Sequence, residues 1–276
     1  MNIINFLQSL QTDWLTSFFK FFTIFGDKEF YIMVLPLFFW LWDKDKALKL
    51  LFILLPSLLL NFYFKEIFHT ARPLGVALIE QGGFAFPSGH AQGSTTLWLM
   101  LVLLIRKRWM SILAVVMVTL ISVSRLYLGV HYPADILGGL LIGATLVILY
   151  DKFLFDAFKE YLSAKSAIAK AAVITIAVVF FAILYPADDA ITILAVIWGF
   201  GLVLIFSNVL DSVLPNGLVW KLMMLIVGVV GVVLIWKGLK IVLPANEFAR
   251  FLRYSLIGIW TAYIPVLLRQ RKKTES

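Results

Sequence analysis

Residues 109–128 read WMSILAVVMVTLISVSRLYL, a stretch whose single charge, Arg125, stands close to its end. At a rise of 1.5 Å per residue, a helix of this length crosses the roughly 30 Å hydrocarbon core of a bilayer. Lipid offers no partner to open backbone N–H and C=O groups, so a span of this kind must be helical. Arg106, Lys107 and Arg108 stand just before it, where cationic flanks are expected at a membrane surface. Similar apolar runs lie on both sides, at residues 29–42, 47–64 and 89–105 before it and at 136–155, 166–185, 191–210, 218–236 and 248–268 after it. Residues 1–25 mix aromatic side chains with Gln8, Gln11, Asp13 and Lys20, a pattern that suits either an interfacial segment or a weak span.

Composition agrees with a chain that has the bilayer as its solvent. Of 276 residues, 62% are hydrophobic and 14% charged, and the mean hydropathy is +0.95. A water-soluble domain of this size needs a more polar surface. The expected fold is therefore all-α, a polytopic helical bundle with about eight or nine crossings. Period-2 alternation of the kind a membrane barrel requires is missing. Turn-rich breaks at residues 186–189, 215–217 and 244–246 separate the later spans. The amphipathic stretch 151–165 marks the best boundary, giving an expected core over residues 1–155 and further transmembrane helices over 156–276. The N-terminus lacks a basic region and a small-residue cleavage site, so no removed signal peptide is expected.

The net charge of +8 does not point to nucleic acid, because the basic residues form short patches between apolar runs and no continuous stripe. Their distribution predicts orientation instead. Lys44, Lys46 and Lys49, then Arg106, Lys107 and Arg108, then Lys152, Lys159 and Lys165 fall on one side if the spans alternate. Arg269, Arg271, Lys272 and Lys273 reach that same side, which is expected to be cytoplasmic. Lys237, Lys240, Arg250 and Arg253 sit on the opposite side against the rule, as snorkelling anchors or as a basic rim for anionic lipid. Cys is absent, which excludes disulfides, thiolate metal sites and Cys nucleophiles.

Three segments on the outer side carry polar residues unusual for so apolar a chain: KEIFHTARP at 65–73, PSGH at 87–90 and SRLYLGVHYPAD at 124–135. All three histidines, His69, His90 and His131, lie in them. Ionisable groups near the apolar zone are costly and are functional candidates by default. Lys65, Arg72 and Arg125 would repel one another on a shared face unless an anion sat between them, and the Arg fork fits phosphate oxygens. Ser88 and Gly89 open a helix whose free N–H groups would point at the same anion, with no side chain on Gly89 to obstruct it. A neutral His is a competent nucleophile toward phosphorus, and Asp135, four residues after His131, can fix its tautomer. His90 is the candidate acid for the departing alkoxide.

Together these segments resemble the signature of the type 2 phosphatidic acid phosphatase superfamily, the lipid phosphate phosphatases. That signature is Lys, six residues, Arg-Pro; Pro-Ser-Gly-His; and Ser-Arg, five residues, His, three residues, Asp. Lys65 with Arg72-Pro73, Pro87-Ser88-Gly89-His90, and Ser124-Arg125 with His131 and Asp135 match it without departure. The resemblance covers about residues 29–155. It implies a phosphohistidine on His131 oriented by Asp135, with His90 as acid and then base. It also implies phosphate binding by Lys65, Arg72, Ser88, Gly89 and Arg125, with no metal or other cofactor.

Each polar residue taken singly has a plainer reading: Lys65 snorkelling, Arg125 on a headgroup, His69 a polar residue at the mouth of the site. That reading does not account for the joint spacing. Asp43 with Asp45 and Asp188 with Asp189 read as solvated turns, and Gly139 with Gly143 as a close helix contact. The expected partners are a lipid phosphate held in the bilayer and surrounding membrane lipid, in a bacterial inner membrane with the site facing outward. Substrate classes left open are phosphatidate, phosphatidylglycerol phosphate, polyprenyl diphosphate, sphingoid base phosphate, lipid A and small sugar phosphates. A lipid-phosphate flippase would need the cations but no nucleophile, and vanadium-dependent halide oxidation shares a related site. The C-terminal spans could shape a lipid entrance, form a homodimer contact or carry a second activity.

Overall fold

A computed structural model describes residues 2–184, 188–207 and 217–267. These contain helices, turns and loops and no strand. The basic cluster Arg269, Arg271, Lys272 and Lys273, the ends of the expected spans at Tyr185, Leu210 and Leu268, and residues 186–187 and 215–216 of the expected turns lie outside the described residues. Among the described residues, six helices are long and apolar enough to cross a membrane, and Gly89–Ile105 is a shorter apolar helix. The chain divides into two compact units, one of Met1–Leu35 with Leu48–Ala157, the other of Pro36–Ala47 with Phe158–Ser276.

The first unit begins with two short helices, α1 (Asn2–Ser9) and α2 (Asp13–Thr23). Thr12 caps α2, its hydroxyl accepting from Leu15 N–H at 3.2 Å. At 8 and 11 residues neither is long enough to span. Phe6, Trp14 and Phe21 are exposed while Phe19 packs on Tyr127 and Leu128, the two-sided pattern of helices that lie at an interface. A single 3-10 turn, Ile24–Gly26, leads into α3 (Lys28–Leu41), and α4 (Lys44–Phe68) follows. Pro36 and Pro56 sit inside α3 and α4, as membrane helices tolerate when neighbours satisfy the freed backbone groups.

After a long loop come α5 (Gly89–Ile105), α6 (Arg108–Tyr127) and α7 (Pro133–Leu149). Gly139 and Gly143 of α7 explain how closely it packs on α5: a Cβ there would meet Ser88 O at 2.6 Å and Gln92 O at 2.7 Å. Small residues let membrane helices approach in this way. A buried polar chain ties α4 to α5: Ser57 Oγ and Thr96 Oγ1 are 2.9 Å apart, and Gln92 Nε2 donates to Ser57 O at 2.7 Å. Asn61 Nδ2 donates to Gln92 Oε1 at 2.8 Å and to Pro87 O at 3.3 Å. With its partners supplied internally, this network fixes the loop entering α5 at low hydration cost. A π-helical turn, Tyr150–Leu154, then leads into α8 (Phe155–Ser163).

In the second unit, α9 (Ala167–Leu184), α10 (Asp188–Phe206), α11 (Leu218–Val233), α12 (Leu239–Val242) and α13 (Glu247–Leu267) are joined by turns, including the π-helical Leu234–Gly238. Gly199 faces Ser255 O, and a Cβ on Gly258 would meet Val196 O at 2.5 Å, so α10 and α13 touch backbone to backbone. Residues 36–47, expected with the N-terminal core, group with these helices. The reason is packing: Trp40 Nε1 donates to Thr261 O at 2.8 Å, and Phe39 meets Phe200 edge to face with centroids 5.0 Å apart.

Candidate active site

The chain leaves α6 through Gly129, whose φ of 71° suits glycine and whose missing Cβ admits Val76 O. Two residues on, His131 is buried at 1% exposure beside Asp135 at 4%. Pro133 starts α7 at a position that needs no backbone donor. Asp135, in the first turn, accepts from Tyr132 N–H at 2.7 Å, and its Oδ2 lies 3.4 Å from His131 Nδ1. The backbone bond is the tighter and pins the carboxylate. On the other side of the ring, Arg72 Nη1 lies 3.2 Å from His131 Nε2. Guanidinium can only donate, so Nε2 accepts and the ring proton belongs on Nδ1, facing Asp135. Burial, then the charges of Arg125, Arg72 and Lys65, hold this imidazole well below its ordinary pKa. His131 is therefore neutral, with a lone pair on Nε2.

The three cations converge on one short piece of the loop before α5. Lys65 Nζ donates to Phe84 O. Arg72 uses Nε on Gly83 O at 3.0 Å and Nη2 on Gly82 O at 3.0 Å and Phe84 O at 3.1 Å, while Nη1 also reaches Val130 O at 2.7 Å. Arg125, 1% exposed, donates from Nη2 to Gln81 Oε1 at 2.7 Å and from Nη1 to Thr23 Oγ1 at 2.5 Å. Its Nε is buried with no hydrogen-bond partner, a costly state for a charged donor. Ser88 is fully buried and caps α5, its Oγ accepting from Ala91 N–H at 3.4 Å, and its own N–H donates to Asp135 O at 3.0 Å. That second bond locks the start of α5, with Gly89, onto the start of α7. His90 Nε2 lies 2.9 Å from Asp27 Oδ1. Lys65, Arg72, Ser88, Gly89, His90, Arg125, His131 and Asp135 thus belong to one connected cluster. His69 is outside it: exposed, with φ of 47°, and edge-on to Phe84.

Among the described residues, no group of three or more His, Asp or Glu is placed to hold a metal ion. What the arrangement can do is hold a tetrahedral dianion among cationic donors, beside a neutral imidazole backed by a carboxylate. The profile of the PAP2 superfamily matches residues 46–159, and that of the PAP2 superfamily phosphatase transmembrane extension matches residues 191–273. The chain belongs to the PAP2 superfamily. It is an integral membrane protein, and the second profile falls on helices of its second unit.

Among PAP2 relatives, a lipid A 4'-phosphatase of Bacteroides thetaiotaomicron is 52% identical over 22% of this chain and 28% of its own length. Phosphatidylglycerophosphatase B of Bacillus subtilis is 31% identical over 41% of this chain and 58% of its own. The chain therefore spans less than two thirds of these curated relatives. The solved structure of Aquifex aeolicus LpxE, at 25% identity and a TM-score of 0.50, covers 55% of this chain and 94% of that one.

Three side chains that hydrogen-bond to those of the cluster lie outside the motif segments: Thr23, Asp27 and Gln81. Thr23 and Asp27 belong to the N-terminal stretch, where no spacing tied them to the site. Gln81 sits in a polar loop that offers nothing to single it out in sequence.

Proposed function

We propose that this PAP2 protein is a metal-independent phosphatase that hydrolyses a lipid phosphate or diphosphate through a phosphohistidine on His131. The observation that carries this reading is the neutral His131 ring, with Nδ1 toward Asp135 and Nε2 toward Arg72, beside three convergent cations. Attack requires Arg72 to transfer its Nη1 donor from Nε2 to a phosphoryl oxygen. The Nε2 lone pair then forms the N–P bond as the ester P–O bond breaks, and His90 gives the departing oxygen a proton. Asp135 stabilises the positive charge that builds on His131. Water next attacks phosphorus, His90 takes a proton from it, the N–P bond breaks, and phosphate leaves. Lys65, Arg72, Arg125 and the N-terminus of α5 supply the positive charge that stabilises the transition state.

Relatives named for lipid A and for phosphatidylglycerophosphate support a lipid substrate, and the apolar helices around the site suit a tail kept in the bilayer. Purified protein in detergent, given a panel of lipid phosphates and a sugar phosphate, should release phosphate from a lipid with EDTA present, and vanadate should inhibit. Complete loss in EDTA, reversed by magnesium, would contradict the metal-free mechanism. Release from the sugar phosphate alone would contradict the lipid reading, and tight binding without release would point to a flippase.

The basic loops support a bacterial inner membrane with the site facing away from the cytoplasm. The chain contains no Cys, so single introductions report cleanly. Leu74, 83% exposed, lies in the site loop away from the Gln81 contact, and exposed Lys107 lies between α5 and α6. In intact cells an impermeant thiol reagent should label Leu74→Cys and spare Lys107→Cys; the reverse pattern reverses the topology.

A further inference from the structure

His90 takes its partner from the N-terminal segment, outside the three motif segments. Asp27 Oδ1 is 2.9 Å from His90 Nε2, with the His90 side chain 12% exposed and Asp27 38%. Asp27 is fixed where the 3-10 turn passes into α3, its N–H donating to Ile24 O at 3.1 Å. Gly26 lies directly against the imidazole: a Cβ there would meet His90 Cδ2 at 2.6 Å and Ile121 Cγ2 at 2.9 Å. Thr23, one turn earlier, accepts from Arg125. Gln8 Nε2 anchors the segment to Val76 O at 2.8 Å and Tyr127 O at 2.9 Å. Residues 23–27 therefore grip both the candidate acid and a buried phosphate-site arginine.

We propose that Asp27 is a positioning residue for the reaction: it binds the Nε2–H of His90 and presents Nδ1 as the proton-exchanging atom. This rests on the phosphatase reading above. With Nε2–H committed to the carboxylate, Nδ1 is the ring position left for transfer. As the ester P–O bond breaks, Nδ1–H gives its proton to the departing oxygen and the ring becomes neutral, still donating from Nε2 to Asp27. When water attacks the phosphohistidine, Nδ1 takes one water proton, the N–P bond breaks, phosphate leaves and the imidazolium is restored. A carboxylate at one nitrogen orients the ring and offsets part of the cost of placing a proton on it in these buried, cationic surroundings. The two histidines are then held in opposite senses: His131 is gripped at Nδ1 and uses Nε2, whereas His90 is gripped at Nε2 and uses Nδ1.

The test compares full-length wild type, Asp27→Asn, Asp27→Glu, His90→Ala and the Asp27→Asn/His90→Ala double variant on the lipid phosphate that wild type cleaves fastest. Asp27→Asn should lower kcat by at least about 10- to 100-fold, the scale seen when a histidine loses the group that fixes its ring, with KM changed less than about threefold. Because Asp27 acts through His90, the same substitution should cost less than about twofold in the His90→Ala background. Asp27→Glu should recover part of the loss, and the p-nitrophenol burst, which needs no acid, should be nearly unaffected in Asp27→Asn. An Asp27→Asn enzyme within about twofold of wild type, or a loss repeated in full on His90→Ala, would overturn the proposal. Thermal unfolding in detergent accompanies each variant, and a lowered midpoint with an additive loss assigns Asp27 a structural role only. A wild type that releases phosphate from no lipid phosphate would instead sink the phosphatase reading and this inference with it.

Discussion

In the unit of Met1–Leu35 and Leu48–Ala157, buried polar side chains include Asn61, Gln92, Ser88, Arg125, His131 and Asp135; in the other unit the described ones are Thr192, Ser255 and Thr261. Both units expose long apolar helices, and α9 and α11 have little of their surface buried. Burying a charge in such surroundings is expensive unless it is paired. The first unit offsets that cost in part, because each cation and each imidazole of its site has hydrogen-bond partners, Arg125 Nε alone being left without one. The second places glycines where its backbones meet, Gly199 at Ser255 O and Gly258 at Val196 O, and relies more on packing. Substitutions in the first unit should therefore damage chemistry with modest effects on the fold, and those in the second the reverse.

The largest effect is expected from His131→Ala, which removes the proposed nucleophile: turnover of alkyl and aryl phosphates alike should fall by on the order of 10⁴-fold or more. Its unfolding midpoint should stay close to that of wild type, so a collapsed fold would blur the contrast. His90→Ala should cost roughly 10²- to 10⁴-fold on a lipid phosphate but much less in the p-nitrophenol burst, since a phenolate leaves unaided. The burst matters because on the proposed mechanism His90 would also serve the later water step, whose slowing in His90→Ala would lower steady-state turnover of every substrate. Equal losses in both assays, with phosphate binding intact, would make His90 a phosphate ligand instead. Arg72→Lys keeps the charge and loses the fork that reaches Val130 O, His131 Nε2 and the loop carbonyls together; about a 10²-fold loss is expected. An unchanged rate would mean that charge alone suffices.

The smallest effect on activity is expected in the second unit. Gly258→Val forces side-chain atoms onto Val196 O and should lower stability in detergent by about 1–3 kcal/mol. The folded fraction should keep its kcat within about threefold, because an interaction absent from the transition state does not set the rate. A large kcat loss in a fully folded Gly258→Val protein would show that the second unit takes part in chemistry.

The motif residues were legible because each carries a charge, a ring or a helix break where a bilayer span should have none. Gly139 and Gly143 read correctly as a close contact for a related reason: small residues at that spacing mark backbone approach. Asp27 and Thr23 were not legible, since their roles depend on a 3-10 turn folding back onto α5 and α6, and one acidic residue after an aromatic stretch carries no such instruction. Nor could the sequence divide α3. Phe39 and Trp40 look like any other apolar residues of a span, and their assignment follows from partners more than 150 positions away, at Phe200 and Thr261.

Whether His131 Nε2 carries the phosphoryl group is read most directly by rapid quenching of the full-length protein with a ³²P-labelled lipid phosphate. A covalent label should form that is acid-labile and alkali-stable, resides in the peptide containing His131, accumulates further in His90→Ala where hydrolysis is slowed, and disappears in His131→Ala. A label that survives acid, one that persists in His131→Ala, or burst release without any covalent label would contradict that assignment.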